Sequence, residues 1–262
     1  MLTNLDLRIA FYTYVISLIL FASLGSLLLN LDPAWGLALT STLVALLPTA
    51  VASLWSPLGW RRALHLSGLP PASLGWILLA APAAFLVAGQ LAALQAQILP
   101  IPPEYLSQFE SILKQVNAHG PLIGILVVAV LPALCEEPLF RGLILSALLP
   151  RLSTGWACLL VGLLFAAFHL DPYRLASTAF LGAFLALLVA RTGSLLAGVF
   201  AHLLNNLAAE MVLIFRLLPE ETAYGAGRLL PWPLVLLAML MVAACLTRLR
   251  GRLRDPGSLA GA

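Results

Sequence analysis

Three groups of polar residues interrupt an otherwise apolar chain, and their types and spacing define the chemistry open to it. The first is Cys135-Glu136-Glu137-Pro138-Leu139-Phe140-Arg141. Glu137 and Arg141 are four residues apart, so a helix places them on one face, where they pair if the helix survives Pro138. Glu136 then lies about 100° around the helix and is left without that partner. A carboxylate moved out of water holds a proton more tightly, which suits a general base working near neutral pH. The competing role is bracing, with both glutamates tied through Arg141 to a neighbouring helix. The second group is Phe165-Ala166-Ala167-Phe168-His169. Phe165 precedes His169 by four residues and can pack on the imidazole and orient it; a histidine at a helix end is also a common interfacial or capping residue. The third group is His202-Leu203-Leu204-Asn205-Asn206. His202 and Asn206 project from one helix face, where imidazole and carboxamide can donate hydrogen bonds to a developing oxyanion or glue helices together.

The elements that must carry these groups are membrane helices. Of 262 residues, 61% are hydrophobic and 10% charged, and the mean hydropathy is +1.01, whereas a soluble domain carries about a quarter charged residues. Apolar segments fill nearly the whole chain, leaving room for a single membrane domain, 1–262, and no soluble one. A ruler of roughly 20 apolar residues predicts eight spans: 9–31, 34–55, 73–98, 121–149, 154–170, 174–190, 194–217 and 229–247. Continuous apolar runs favour helices over barrel strands. The expected class is therefore an all-α, polytopic bundle of about eight transmembrane helices. The first run follows Asp6 and Arg8 and is too long for a signal-peptide core, so it is expected to be retained. The fourth segment is too long to stand straight across a bilayer and contains Pro132 and Pro138, so it should tilt, kink or end at the interface.

Orientation follows from Lys and Arg in the connections. Arg8, Arg61, Arg62, Arg151, Arg191 and the tail residues Arg248, Arg250, Arg252 and Arg254 fall on one side; Lys114, Arg174, Arg216 and Arg228 fall on the other. Both termini are expected in the cytoplasm, with 248–262 a basic tail. The outer connection carries an amphipathic stretch around 104–117, readable as a helix on the membrane surface or a solvated loop helix. The Gly- and Pro-rich connection 58–71 reads as a turn, not a site. The net charge of +3 is dispersed at segment ends with no interleaved aromatics, which argues against a nucleic-acid partner. Cys135, Cys158 and Cys245 sit in apolar runs without zinc-ribbon or disulfide spacing.

Together the motifs E-E-x-x-x-R (Glu136, Glu137, Arg141), F-x-x-x-H (Phe165, His169) and H-x-x-x-N (His202, Asn206) resemble the CAAX prenyl protease and bacteriocin-processing family, also called ABI or CPBP, of intramembrane peptidases. The run Arg191-Thr192-Gly193-Ser194 looks like the family's lead-in to the third motif, and the resemblance spans a core of residues 121–209. It implies that Glu136 with His169 positions and deprotonates water, that His202 and Asn206 stabilise the oxyanion, and that Arg141 with Glu137 holds the site in shape. The family has been described both as metallo-type and as glutamate-type. Glu136, His169 and His202 would supply three ligands for a zinc with an open water position, but the sequence lacks H-E-x-x-H, and the reading leans to a metal-independent glutamate mechanism.

The implied partners are the bilayer and a membrane-associated, prenylated or propeptide-type substrate, and the Ala-, Leu- and Arg-rich composition suits a prokaryotic plasma membrane. One difficulty stands in the spacing. Ser194 to His202 rises about 12 Å and Thr154 to His169 about 22 Å, so vertical helices misalign the two histidines. The rival readings are a proton-coupled transporter, since intramembrane Glu and His also form relays, a non-catalytic scaffold that retains the motifs, and a thiol enzyme using Cys135. Against a transporter built from two matching halves, the polar residues crowd into the second half.

Overall fold

A computed structural model describes residues 5–56, 59–214 and 229–249. Among these residues every regular element is helical and none is a strand. Helix α1 (Leu7–Leu31) starts where the Asp6 side chain accepts from the Arg8 amide, and Asp32 plays the same part for the Trp35 amide at the start of α2 (Pro33–Leu54). Asp at the N-cap and Pro in the first turn satisfy or remove orphan donors, which explains why both helices begin at these residues. A one-turn helix α3 (Trp60–Ala63) leads to α4 (Pro71–Ile98), α5 (Pro103–Ala118) and α6 (Pro121–Leu148). Then come α7 (Thr154–Phe168), a 3₁₀ turn (Pro172–Arg174), α8 (Leu175–Thr192), α9 (Leu195–Ile214) and α10 (Trp232–Arg248).

Among the described residues six helices are long and apolar enough to cross a membrane: α1, α2, α4, α6, the run Pro172–Thr192 containing α8, and Leu195–Val212 within α9. The sequence predicted eight. The other two segments are helical but shorter, 15 residues in α7 and 17 in α10; at about 1.5 Å per residue α7 reaches about 22 Å, less than the hydrocarbon thickness of about 30 Å. The predicted end of the seventh span at Leu217, the outer Arg216 and Arg228, and the tail arginines Arg250, Arg252 and Arg254 lie outside the described residues. Large apolar side chains cover the outside of the bundle, among them Phe11, Leu54 and Leu240 at 60%, 71% and 67% exposure. A surface of that kind is stable in lipid and aggregation-prone in water.

Helix α6 does not break at its prolines. It changes pitch instead, running as wide π-helical turns over Ile125–Val130 and again over Pro138–Ile144. Proline lacks an N–H and crowds the carbonyl four residues earlier; widening the turn accommodates both while the helix continues. Glu136 and Glu137 therefore sit at the junction of an α segment and a π segment.

The bundle closes where small residues meet. A Cβ on Gly182 of α8 would lie 2.8 Å from the Gly162 Cα of α7, and one on Gly162 would enter the backbone of Ala179. Gly–Gly contact lets two helix backbones approach closely, the usual device where lipid supplies no hydrophobic drive.

The connection 59–70, read from sequence as a plain turn, is tied to the end of the bundle. The His65 Nε2–H donates to the Ser146 hydroxyl at 2.7 Å while that hydroxyl donates to the Ala63 carbonyl; the Leu195 amide donates to the His65 carbonyl at 2.9 Å. Ser67 donates to the Gly193 carbonyl and Ser194 back to the Ser67 carbonyl, at 2.6 and 2.7 Å. Gly193 has φ +71°, a left-handed cap closed by its N–H on the Val189 carbonyl, and that conformation favours glycine. Burial pushes the His65 imidazole down to about 4. Its folded value then lies below the unfolded value of about 6.5, so its stabilising effect is complete above pH 6.5 or so and is lost as pH falls toward 4. The thermal midpoint of the purified protein should drop across that window, by the equivalent of roughly 3 kcal/mol. His65→Gln should flatten the profile; a variant with the parental slope would show that another group titrates.

Candidate active site

Glu137 is the hub. Its Oε1 accepts from Arg141 Nη1 at 2.8 Å and from His202 Nδ1 at 2.8 Å, and both Glu137 and Arg141 are fully buried. The first contact is the one the four-residue spacing predicted; the second joins α6 to α9 across 65 positions and was not legible from spacing. Arg141 extends the chain, donating from Nη2 to the Gly182 carbonyl of α8 at 3.0 Å, with its Cζ 4.3 Å from the Phe165 ring centre. A buried carboxylate facing one guanidinium and one imidazole is compensated, whereas removal of one partner leaves a charge unpaired in low dielectric, at a cost of about 3–5 kcal/mol. Arg141→Met should therefore lower thermal stability sharply. Adding Glu137→Gln should cost much less than it does alone, because the pair acts as a unit. Fully additive midpoint losses would show that the two do not interact.

Phe165 brings the two histidines to one place. Its ring meets the His169 imidazole edge-on at 4.7 Å and the His202 imidazole at 5.8 Å between centres. The misalignment inferred from vertical helices does not appear: both imidazoles pack on the one Phe165 ring. The His169 Nδ1–H donates to the Phe165 carbonyl at 2.8 Å, which fixes the tautomer and leaves Nε2 as a lone-pair acceptor. The next residue, Leu170, has φ +51°, a left-handed conformation rarely adopted by a γ-branched side chain. Asp171 stabilises that turn, accepting from the Tyr105 hydroxyl at 2.6 Å, Arg174 Nε at 2.6 Å and the Tyr173 amide at 3.0 Å. Thus α5, the amphipathic segment, is a helix docked on the turn behind His169.

Glu136 is partly buried, with Oε2 enclosed and without a hydrogen-bond partner among the described residues. It lies near enough to His169 and Arg141 to act on both electrostatically, but no direct hydrogen bond joins it to His169. Asn206, one turn beyond His202, accepts from Asn205 Nδ2 through its carboxamide oxygen at 3.4 Å, leaving its own N–H₂ available to donate. Among the described residues no three His, Cys, Asp or Glu side chains converge as a metal-binding group. His169 and His202 direct Nδ1 at the Phe165 carbonyl and at Glu137, which leaves Nε2 of each ring free. Cys135 is buried as a free thiol.

Three contributors escaped the sequence reading. Gly198, one turn before His202, is needed because a Cβ there would collide with Glu137 Oε2; the spacing Gly198–His202–Asn206 was the available signal. Glu210, one turn after Asn206 and fully buried, accepts from Asn117 Nδ2 of α5 at 2.9 Å, continuing the same polar stripe. Asp171, marked in sequence by the Asp-Pro pair that follows His169, is the third.

Residues 118–208 match the family model described as type II CAAX prenyl endopeptidase, Rce1-like. Comparison with curated proteins and with solved structures gave no match.

Proposed function

We propose, from the match of residues 118–208 to the CAAX prenyl endopeptidase family, that this multi-pass membrane protein is an intramembrane endopeptidase whose site is built from Glu136, His169, His202 and Asn206. The match supports a CAAX-type endopeptidase in general terms; the roles of individual residues are our reading. The observation that carries it is the convergence of His169 and His202 on the Phe165 ring, together with a Glu136 carboxylate oxygen that has no hydrogen-bond partner among the described residues. In this reading the Glu136 carboxylate takes a proton from a water that His169 Nε2 orients by accepting its second hydrogen. The water oxygen bonds to the peptide carbonyl carbon, and the resulting oxyanion is held by Asn206 Nδ2–H and by Nε2–H of a protonated His202 whose Nδ1–H rests on Glu137. The proton on Glu136 then passes to the peptide nitrogen as the C–N bond breaks. Glu137 and Arg141 are positioning residues: they touch His202 and α8, not substrate.

The substrate is a membrane-associated peptide or protein, of prenylated or propeptide type. The chain would form one membrane domain with its catalytic core at 121–209, eight helical segments including the short α7 and α10, and both termini in the cytoplasm of a prokaryotic plasma membrane. Cleavage by Glu136→Gln beside the parent, together with accumulation of uncleaved membrane peptides in cells carrying the variant, tests the proposal. A proton-coupled transporter would need Glu136 and His169 to exchange protons with both sides, and Glu137 is instead locked between Arg141 and His202.

A further inference from the structure

At one end of the bundle the start of α4 and the last turns of α8 and α10 line an open cavity of about 210 Å³ that shares no residue with the candidate active site. Its lining includes Arg191 of α8 and Arg248 of α10, and no acidic side chain. Neither guanidinium pairs with a carboxylate or donates a hydrogen bond among the described residues; Arg248 lies over the Trp76 ring at 5.8 Å. Two like charges that share a cavity without a counter-ion repel, and each guanidinium presents five donors in a fork suited to phosphate.

A second observation is independent of charge. Ser73 lines the same cavity, is 8% exposed, and its hydroxyl makes no hydrogen bond among the described residues. A hydroxyl on the cavity wall that no protein group engages is free to donate to a ligand there. The first turn of α4 also lies here, and the positive end of its dipole adds to the same field. Trp76, with one apolar and one polar edge, is the residue type that sits at headgroup level in membranes.

We propose that this cavity binds a phosphate group, held between Arg191 and Arg248 with the Ser73 hydroxyl as a third donor. The phosphate is supplied either by the headgroup of an anionic phospholipid or by free phosphate. The position at helix ends, beside an interfacial Trp, places it where lipid phosphates lie. The site is independent of the peptidase reading and stands or falls separately.

The test uses the purified full-length chain, delipidated in neutral detergent, with binding followed by the shift in thermal midpoint. Three probes are titrated: inorganic phosphate, a short-chain phosphatidylglycerol, and short-chain phosphatidylcholine as the zwitterionic control. Arg191→Gln and Arg248→Gln should each weaken phosphatidylglycerol or phosphate binding by roughly tenfold or more, the effect of losing one charge-assisted contact. Ser73→Leu keeps both arginines but fills the cavity, and should abolish the shift even if an arginine variant fails to fold. The double variant Arg61→Gln/Arg62→Gln removes twice the charge of either single variant from exposed positions elsewhere and should bind like the parent. Phosphatidylglycerol binding at least about tenfold tighter than phosphate identifies a lipid headgroup; equal affinities identify free phosphate. Affinity within about twofold of parental in both single variants, an equal loss in the Arg61/Arg62 variant, or equal binding of phosphatidylcholine would overturn the proposal.

Discussion

His202→Ala is expected to lower single-turnover cleavage by roughly 10²–10³ while substrate still binds, the usual consequence of removing one oxyanion donor. The structure gives this residue two neighbours that bear on the result. Its Nδ1 rests on Glu137 Oε1 at 2.8 Å and its ring meets Phe165, so the imidazole is held in one orientation and only Nε2 remains for substrate. Removing the ring also leaves Glu137 with Arg141 alone, and a lowered thermal midpoint should accompany the kinetic loss. The same variant separates the two mechanisms described for this family. If a zinc were held by Glu136, His169 and His202, about one equivalent per chain should be measurable in the parent, chelation should remove activity that added zinc restores, and His202→Ala should lose the metal. The glutamate reading expects activity that survives dialysis against a chelator in the parent, and metal content unchanged by the substitution. Stoichiometric zinc lost in the variant would reverse that reading.

How much of this site was legible in the sequence depends on whether the relation lay within one helix. Glu137 with Arg141 and Phe165 with His169 are four-residue relations, fixed by helix geometry, and both contacts occur. The link from Glu137 to His202 depends on how closely α6 and α9 approach. That distance is set by Gly198, whose missing side chain leaves the space Glu137 occupies, and one glycine in an apolar run carries no local signal of what faces it. The histidine misalignment came from standing both helices vertical at a common starting level, whereas both imidazoles meet one Phe165 ring. Pro132 and Pro138 pointed to a tilt, a kink or an end at the interface; the chain widens its turns there, a detail of pitch that proline alone does not specify. Apolar runs located the eight apolar helical segments, since composition reports the solvent directly. They did not reveal that two of these form helices of only 15 and 17 residues, nor that the connection containing His65 folds against Ser146 and Leu195, because those contacts are tertiary.

Glu136 carries the largest expected effect. Glu136→Gln keeps the volume and the hydrogen-bonding shape of the side chain but removes its capacity to take a proton, so insertion and thermal stability should stay close to parental. The Glu137–Arg141–His202 chain does not use Glu136 as a hydrogen-bond partner, which is why the structural consequence should be small. Cleavage should fall by about 10⁴, the upper end of what a positioned base contributes, because here the same carboxylate both receives the proton of the water and passes it to the leaving nitrogen. Peptides that depend on the enzyme should accumulate uncut in membranes carrying the variant, and those peptides supply the substrate for the decisive comparison.

That comparison is the single-turnover rate of parent and Glu136→Gln, purified and reconstituted in liposomes, on one such accumulated peptide with the products identified by mass. The account predicts a defined cut by the parent and a rate lower by about 10⁴ in the variant at equal folded protein. Cleavage by Glu136→Gln at near-parental rate would contradict it.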